Sequence, residues 1–465
     1  MPPARKAEPS GVTDWGGLPT PRRYWSVAAI WLALTMAVLD AAIANVALPA
    51  IARDLHAAAA ESIWVVNAYQ LAIVVSLLPL AAMGEIVEYR SVFQSGLVLF
   101  VIASVGCSLA HTLPELAIAR AFQGLGAAGV MSVNGALVRF TYPHSQLGRG
   151  VGLNALVVAV ASVIGPSIAS AILALGSWQW LFAVNIPIGL AALAVARFAL
   201  PKSPRSLRAL DWPAAMMNVA AFGLVIVGID VLTRGGGGWV GAAELAAGIG
   251  AGATLVRRSL RQARPLAPVD LMRSPLFALT VATSVASFAA QMLAFVALPF
   301  YLQGALHRSQ VETGLLITPW PLAVGVSAPL AGRLADGYSA AILAGFGLAL
   351  MAVGLGLLAT MPVEVSGVGI AWRMGLCGVG FGFFQAPNNR TLLAAAPLER
   401  TGAAGGMLAT ARLTGQTVGA TLTAILFRLS GHGAVLALMA GAVFAAAASL
   451  VSFSRMIDRA GAGRG

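Results

Sequence analysis

Trp25-Ser26-Val27-Ala28-Ala29-Ile30-Trp31-Leu32-Ala33-Leu34-Thr35-Met36-Ala37-Val38-Leu39-Asp40-Ala41-Ala42-Ile43-Ala44-Asn45-Val46-Ala47-Leu48 is the stretch on which the fold of this chain turns. Asp40 is its only charged side chain, and the stretch is long enough to cross a bilayer, which takes roughly 20 apolar residues. A carboxylate at that depth costs about 2.5 to 3.5 kcal/mol on insertion scales, so it points to an ion or proton path. The alternative is a structural carboxylate held by a neighbouring arginine.

The same apolar texture extends to the rest of the chain. Of 465 residues 58% are hydrophobic and 10% charged, with a mean hydropathy of +0.84. Soluble domains carry about 25% charged residues, so the composition is that of a polytopic membrane protein. Fourteen apolar segments follow one another from 25–48 to 433–454. All are expected to be helices, because lipid leaves backbone groups unsatisfied and no alternating barrel pattern is visible. The net charge of +12 follows topology rather than nucleic-acid binding. With both termini cytoplasmic, 4 of the 29 Lys and Arg lie outside (Arg53, Arg234, Arg308, Arg428) and 3 within helices (Arg120, Arg373, Arg412). The remaining 22 are cytoplasmic, as the positive-inside rule requires. Cys107 and Cys377 sit in apolar segments as packing residues and suggest no disulfide or metal site.

The chain repeats itself. Gly124, Gly126, Asn134, Gly148, Gly152 and Gly165 recur 254 residues later as Gly378, Gly380, Asn388, Gly402, Gly406 and Gly419. Nearer the start of each half the offset is 250, and Val46-Ala47-Leu48-Pro49 returns as Val296-Ala297-Leu298-Pro299. Abutting halves of the length of residues 25–200 would repeat after about 176 positions, and the surplus accommodates two further helices, near 212–232 and 240–257. The expected organisation is a tail over 1–24, a six-helix bundle over 25–200 and an inserted pair with its loops over 201–274. A second six-helix bundle over 275–455 and a tail over 456–465 complete it. Two such bundles with a site between them near the midplane form the major facilitator arrangement.

At the level of motifs, Leu39-Asp40-Ala41-Ala42-Ile43-Ala44-Asn45-Val46-Ala47-Leu48-Pro49 resembles the first-helix motif of the fourteen-helix drug:proton antiporters of the major facilitator superfamily. Trp64 to Tyr69, Arg120-Ala121-Phe122-Gln123-Gly124-Leu125-Gly126, Gly165-Pro166, Trp178-Gln179-Trp180-Leu181-Phe182 and Asn185-Ile186-Pro187-Ile188-Gly189 follow in family order. Asp211-Trp212 and the stretch from Pro265 to Phe277 continue it across nearly the whole chain. The resemblance implies an all-α integral membrane protein with fourteen transmembrane helices. It also implies residence in the bacterial cytoplasmic (inner) membrane and proton-coupled export of small amphipathic molecules.

Asp40 and Arg120 are the expected proton-coupling pair. Asp40 lies about nine residues from the outer end of its helix and Arg120 about five, roughly 13 and 8 Å deep at 1.5 Å per residue. A pairing between them is therefore geometrically open, and Arg120 could equally be a fixed hydrogen-bond hub. Asn45, Tyr69, Gln291, Arg373, Asn388 and Arg412 are the candidate substrate-cavity residues, because polar groups within such helices face a cavity rather than lipid. Glu85, Arg90, Gly165, Pro166, Gly332 and Asp336 are candidates for gating. Gly165-Pro166 can kink a helix at a bundle seam. Glu85 stands where the superfamily loop after helix 2 has aspartate, and it could instead cap the next helix. In the same loop Ile86 replaces an arginine and Glu88 a glycine, while Arg90 is kept.

No glycine-rich, lysine-ending nucleotide loop is present, no loop offers room for a catalytic domain, and the five histidines lack metal spacing. An enzyme, a cofactor and a metal are therefore not expected; the proton gradient supplies the energy. The expected partners are the amphipathic substrate, protons, lipid and, in a Gram-negative source, a periplasmic adaptor protein. The runner-up readings are export or uptake of one specific metabolite, and a transport-inactive sensor or scaffold. With Asp40 shared between proton and drug, monovalent or neutral amphipaths are expected to be handled best, and Asp40→Asn to spare folding.

Overall fold

The computed structural model describes residues 17–462, apart from 144–145, 207–209, 235–237, 263–264, 266–267 and 398–399. Most of the N-terminal tail and the last three residues thus lie outside the described residues. Fourteen long helices follow one another: α1 Thr20–Asp54, α2 Ala59–Val87, α3 Tyr89–Ser108, α4 Leu113–Thr141, α5 Leu147–Leu175, α6 Gln179–Ala199 and α7 Trp212–Arg234. They continue as α8 Gly238–Ser259, α9 Pro275–Ala305, α10 Gln310–Leu334, α11 Ala340–Ala359, α12 Gly367–Ala394, α13 Thr401–Leu429 and α14 Gly433–Ala462. Among the described residues thirteen are long and apolar enough to cross a membrane. α13 is as long as its neighbours but carries Arg412, Gln416 and six threonines. α14 runs past the expected boundary at 455 to Ala462.

Local chemistry sets where these helices start. Thr112 opens α4 and Ser309 opens α10 with the same device, a side-chain oxygen accepting from the N–H three residues on (3.4 Å and 3.1 Å). In both, a glutamate at that third position turns back to accept from the cap N–H, so two otherwise orphaned donors are satisfied at each helix end. Asp211 does the corresponding work ahead of α7, accepting from Ala214 N–H (3.1 Å), Gln262 and Arg258. Burial pushes the Asp211 carboxyl up, but those hydrogen bonds hold it below the usual carboxylate range.

The two halves repeat contact by contact. A Cβ on Gly126 of α4 would lie 2.5 Å from Phe100 N and 2.7 Å from Gly96 O of α3. A Cβ on Gly380 of α12 would lie 2.5 Å from Gly347 O and 2.6 Å from Met351 N of α11. Gly165 of α5 presses on Ala42 of α1, and Gly419 of α13 presses on Ala289 and Met292 of α9. The last pair places Ala42 and Met292 at equivalent sites, 250 residues apart, so Asp40 corresponds to Ala290. Small residues matter here because helices in lipid associate through close backbone packing. We expect Gly126→Ala to lower the melting temperature in detergent, overpacking costing about 1–3 kcal/mol. Gly135→Ala, with nothing within 4 Å of its Cβ, should leave melting unchanged.

The core divides unevenly along the helix axes. At the end away from the termini one cluster draws on both bundles, joining Ile43, Leu48 and Ile51 of α1 to Phe288, Met292 and Leu302 of α9. At the terminal end it splits. Ile30, Leu77 and Phe93 belong to the first bundle's core, in which Leu413 is the single buried residue from the second, and Phe277, Leu392 and Met407 form a separate cluster. Among the described residues, side-chain hydrogen bonds between α1–α6 and α9–α14 occur only at the far end. These are Arg53 to Gln303 (3.3 Å), Ser167 with Thr318 (2.9 Å) and Ser170 to Gln310 O (3.2 Å). The bundles are therefore fastened at the far end. The inserted pair spans the outer edge between α2 and α13: Asn218 of α7 donates to Val75 O (2.8 Å), and Arg428 of α13 pairs with Asp230 (2.6 Å) and Thr233 (2.7 Å).

Candidate functional site

Asp40 and Arg120 meet in the first bundle. Both are 1% exposed, and Arg120 Nη1 forms an ion pair with Asp40 Oδ2. Two amides complete the carboxylate's shell: Gln123 Nε2 (3.0 Å) and Asn185 Nδ2 (2.8 Å) donate to Oδ1. The guanidinium also donates from Nε to Val65 O (3.0 Å) and from Nη1 to Gln123 Oε1 (2.6 Å). Its carbon lies 4.1 Å from the Tyr69 ring centroid and 5.4 Å from that of Phe182, a cation–π sandwich on a partly desolvated charge. Ser104 accepts from Gln123, Cys107 donates to Gln123, and the Tyr69 hydroxyl donates to Ala37 O (3.1 Å). Four helices thus hold one carboxylate. Arg120 is both the partner and the hub that the sequence left open.

The local sequence explains how these groups converge. Gln123 lies one helical turn after Arg120 on α4, so both face α1. Asn185 is aimed by the start of α6, where Trp178 Nε1 donates to Asp54 Oδ2 (2.7 Å) and Phe182 is buried. Gly189 then lets α6 close on Val101 and Met36. Gln123 and Asn185 were inside motif stretches, but nothing in a linear pattern showed which way they point.

The repeat provides an internal comparison. Asp40 corresponds to Ala290, and the offset of 254 carries Arg120 to Met374 and Gln123 to Cys377. All three counterparts are fully buried in an apolar core. The same helical scaffold therefore packs without charge in the second half, so packing alone does not require the pair in the first. A buried ion pair is itself weak support for stability, since desolvation offsets its attraction.

The candidate cavity residues do not form one set. Tyr69 belongs to the Asp40 site. Asn388 is 1% exposed and turned away from the space between the bundles. It donates to Ser284 (2.8 Å) and accepts from Arg455 (3.0 Å), which also donates to Thr280 and Ser452. Arg455 reads in sequence as a loop charge, yet it is 3% exposed and serves as the polar tie between α9, α12 and α14. Arg373 is turned onto its own helix, donating to Gly369 O (2.5 Å) and lying 4.6 Å from the half-exposed Trp372 ring. Gln291 and Arg412 are half-buried and make no hydrogen bond among the described residues, and the buried Asn45 Oδ1 has no partner among them.

The gating candidates are resolved residue by residue. Glu85 is exposed on the last turn of α2 and does not cap α3. Glu88 occupies the cap with φ 114, a backbone conformation that favours the glycine it replaces. Its carboxylate reaches Arg205 at 3.7 Å. Arg90 donates to Arg197 O, fixing the loop to the end of α6 within one bundle. Asp336 pairs with Arg390 (2.5 Å) on the surface of the second bundle, while Gly332 is uncrowded, with only Ala386 at 3.9 Å. Gly165 packs on Leu39 and Ala42 of α1 within the first bundle, while Pro166 O lies against Gly314 of α10 in the second. Asp230, near the end of α7, is buried in its ion pair with Arg428.

The model of the Major Facilitator Superfamily matches residues 30–420 and 279–464. The chain belongs to that superfamily. It is 51% identical over 443 residues to the Uncharacterized transporter YebQ of Escherichia coli strain K12, spanning 95% of this chain and 97% of that one. It is 31% identical over 427 residues to the Tetracenomycin C resistance and export protein of Streptomyces glaucescens, spanning 90% and 79%. The crystal structure of a POT family transporter with a thioalcohol-conjugated peptide shares the fold, with a TM-score of 0.73 at 16% identity over 95% of this chain and 96% of that one. The protein is accordingly a multi-pass membrane transporter.

Proposed function

We propose that this transporter is a proton-coupled exporter of small amphipathic molecules. The observation that carries the reading is the buried Asp40–Arg120 pair, present in one half of a duplicated fold whose other half holds Ala290 and Met374 instead. A titratable group retained where packing does not require it is a candidate functional group. When Asp40 takes a proton, its attraction for Arg120 is lost and the acceptor shell of Gln123 and Asn185 is weakened. The four helices tied through that carboxylate are then free to shift. α1 also carries Leu39 and Ala42 against Gly165 of α5, so a change at Asp40 passes to α5, whose Pro166 and Ser170 meet Gly314 of α10 across the seam.

Both termini are taken as cytoplasmic, an orientation that the Lys and Arg distribution supports. With that orientation the far-end contacts are periplasmic, and the structure is the state that faces inward. Export then consists of loading from the cytoplasm, opening at the far end, and return of a proton through Asp40. Energy comes from the proton gradient, and no resident cofactor is required. Similarity to the Tetracenomycin C resistance and export protein of Streptomyces glaucescens supports the outward direction.

The test is a proteoliposome holding a pH gradient and a fluorescent amphipath. Adding the amphipath should dissipate the gradient, and imposing the gradient should drive the amphipath against its own concentration difference. An equal rate with and without the gradient would sink proton coupling.

A further inference from the structure

The space enclosed by the two bundles contains a second charge that the proton site does not use. On α13, Gly406, Ala409 and Leu413 face α2, where Leu78 and the core shared with Leu71 and Val75 receive them. Gly415 and Gly419 face α9, against Val285 O and Ala289 O. At 3.6 residues per turn, Arg412 and Gln416 fall between those two faces and point into the enclosed space. Among the described residues Arg412 makes no hydrogen bond or ion pair, its Nε is buried without a partner, and the titratable group its charge reaches is Tyr69. A guanidinium stays charged in proteins, and an unpaired buried charge is costly.

Opposite lies a matching set. The contact of Leu78 with Gly406 fixes the register of the antiparallel α2 and α13. It brings Gln70 within one helical turn of the level of Arg412, and Asn67 level with Gln416. Asn67 (3% exposed) and Gln70 (5% exposed) are buried on the inward side of α2, and their Oδ1 and Oε1 have no partner. Buried polar groups in folded proteins are almost always bonded, so three facing buried atoms without a bond, Asn67 Oδ1, Gln70 Oε1 and Arg412 Nε, mark a place where something else supplies the bonds.

Asp40 cannot serve a substrate cation in this state. Both its oxygens are filled by Arg120, Gln123 and Asn185, and the pair is neutral as a unit. In this state the carboxylate is therefore not open to a substrate cation. Away from helix ends the bundles hold one acid, Asp40, against Arg120, Arg373, Arg412 and Arg455, the last bonded to Thr280, Asn388 and Ser452. Arg120 is compensated by Asp40, and Arg373 is turned onto Gly369 O and Trp372. The free charge facing the enclosed space is positive.

We infer that the transporter recognises amphipathic monoanions, the carboxylate or phenolate of the substrate docking on Arg412 while Asn67, Gln70 and Gln416 bond its polar neighbours. A charge-assisted bond from a guanidinium to a carboxylate is the strong member of such a set, and a matched cation meets repulsion instead. The inference rests on the export reading for its direction only. The binding preference stands without it.

Three probes with one apolar body separate the possibilities: 2-naphthylacetate, 2-naphthylethanol and (2-naphthylmethyl)trimethylammonium. Binding is measured by calorimetry on the purified full-length protein in neutral maltoside micelles, where no anionic lipid competes. The anion is expected to bind at least about tenfold more tightly than the cation. Arg412→Gln should erase that preference while changing binding of the neutral alcohol less than about twofold, and Arg412→Lys should retain part of it. A wild-type protein that binds the cation as well as the anion, or binds none of the three, overturns the inference. So does an Arg412→Gln protein of unchanged elution and melting that keeps the anion preference. Asp40→Asn should retain the preference. If the wild type shows it but moves no protons, the coupling reading fails and this one stands.

Discussion

Asp40→Asn should abolish proton-driven accumulation in proteoliposomes, while exchange of substrate down its own gradient should persist. The side chain that replaces Asp40 has nearly the same shape, but it cannot take and release a proton. Exchange across a gradient-free membrane needs only the helix movements, so it separates a lost carrier from a broken transporter. Concentrative transport by the variant at wild-type rates, at equal protein, would remove Asp40 from the coupling role.

The structure changes one part of what the sequence implies for this variant. Asp40→Asn exchanges an acceptor-only group for an amide, which presents an N–H₂ either to Arg120 or to the amide donors of Gln123 and Asn185. It also leaves the Arg120 guanidinium buried without its counter-charge, which costs about 3–5 kcal/mol where one partner of a buried pair is removed. The variant should therefore insert normally yet melt earlier, and sparing of the fold is not expected. Asp40→Asn with Arg120→Gln removes both charges and should recover part of the melting temperature but none of the coupling. That double variant distinguishes a stability effect from a functional one, because the two substitutions couple through direct contact.

Much of this was legible in the chain itself. Apolar segment lengths follow from bilayer thickness, so the helices could be read from runs of residues. The repeat could be read because close packing demands glycine at the same places in each half, as at Gly126 and Gly380. Asp40 and Arg120 were legible because a charge in an apolar run has few alternatives to a charged partner at like depth. Direction was not legible. Asn388 and Arg455 look like a cavity residue and a loop charge, and only the packing of α9 against α12 and α14 joins them. Glu85 and Glu88 are three residues apart, and their different fates depend on where α2 ends. Arg412 was visible as a mid-helix charge, but its isolation depends on every neighbour that could have reached it.

Gly314→Ala should shift the protein away from the state described here and slow transport more than tenfold. In this state a Cβ on Gly314 of α10 would collide with the Ser170 hydroxyl and sit 2.5 Å from Pro166 O of α5. The serine can rotate, but the proline carbonyl is backbone and cannot yield without moving α5. Ser170 to Gln310 O and Ser167 with Thr318 are made across the same contact, so the methyl group disturbs two of the three hydrogen bonds that fasten the far end. Overpacking of this kind costs about 1–3 kcal/mol, and each 1.4 kcal/mol is a factor of ten in population. The cost falls only on the fastened state, since the alternate state separates these helices, so the equilibrium moves rather than the fold failing. Spin labels at Glu61→Cys and Glu364→Cys, two exposed far-end positions, report the change as a longer and broader distance distribution. The buried Cys107 and Cys377 are replaced by serine and alanine for that measurement. Gly325→Ala on the same helix, where a Cβ meets nothing within 4 Å, should leave both distance and transport as in the parent. If Gly314→Ala behaves like Gly325→Ala, the α5–α10 contact is not what closes the far end, and the fastening must lie with Arg53 and Gln303.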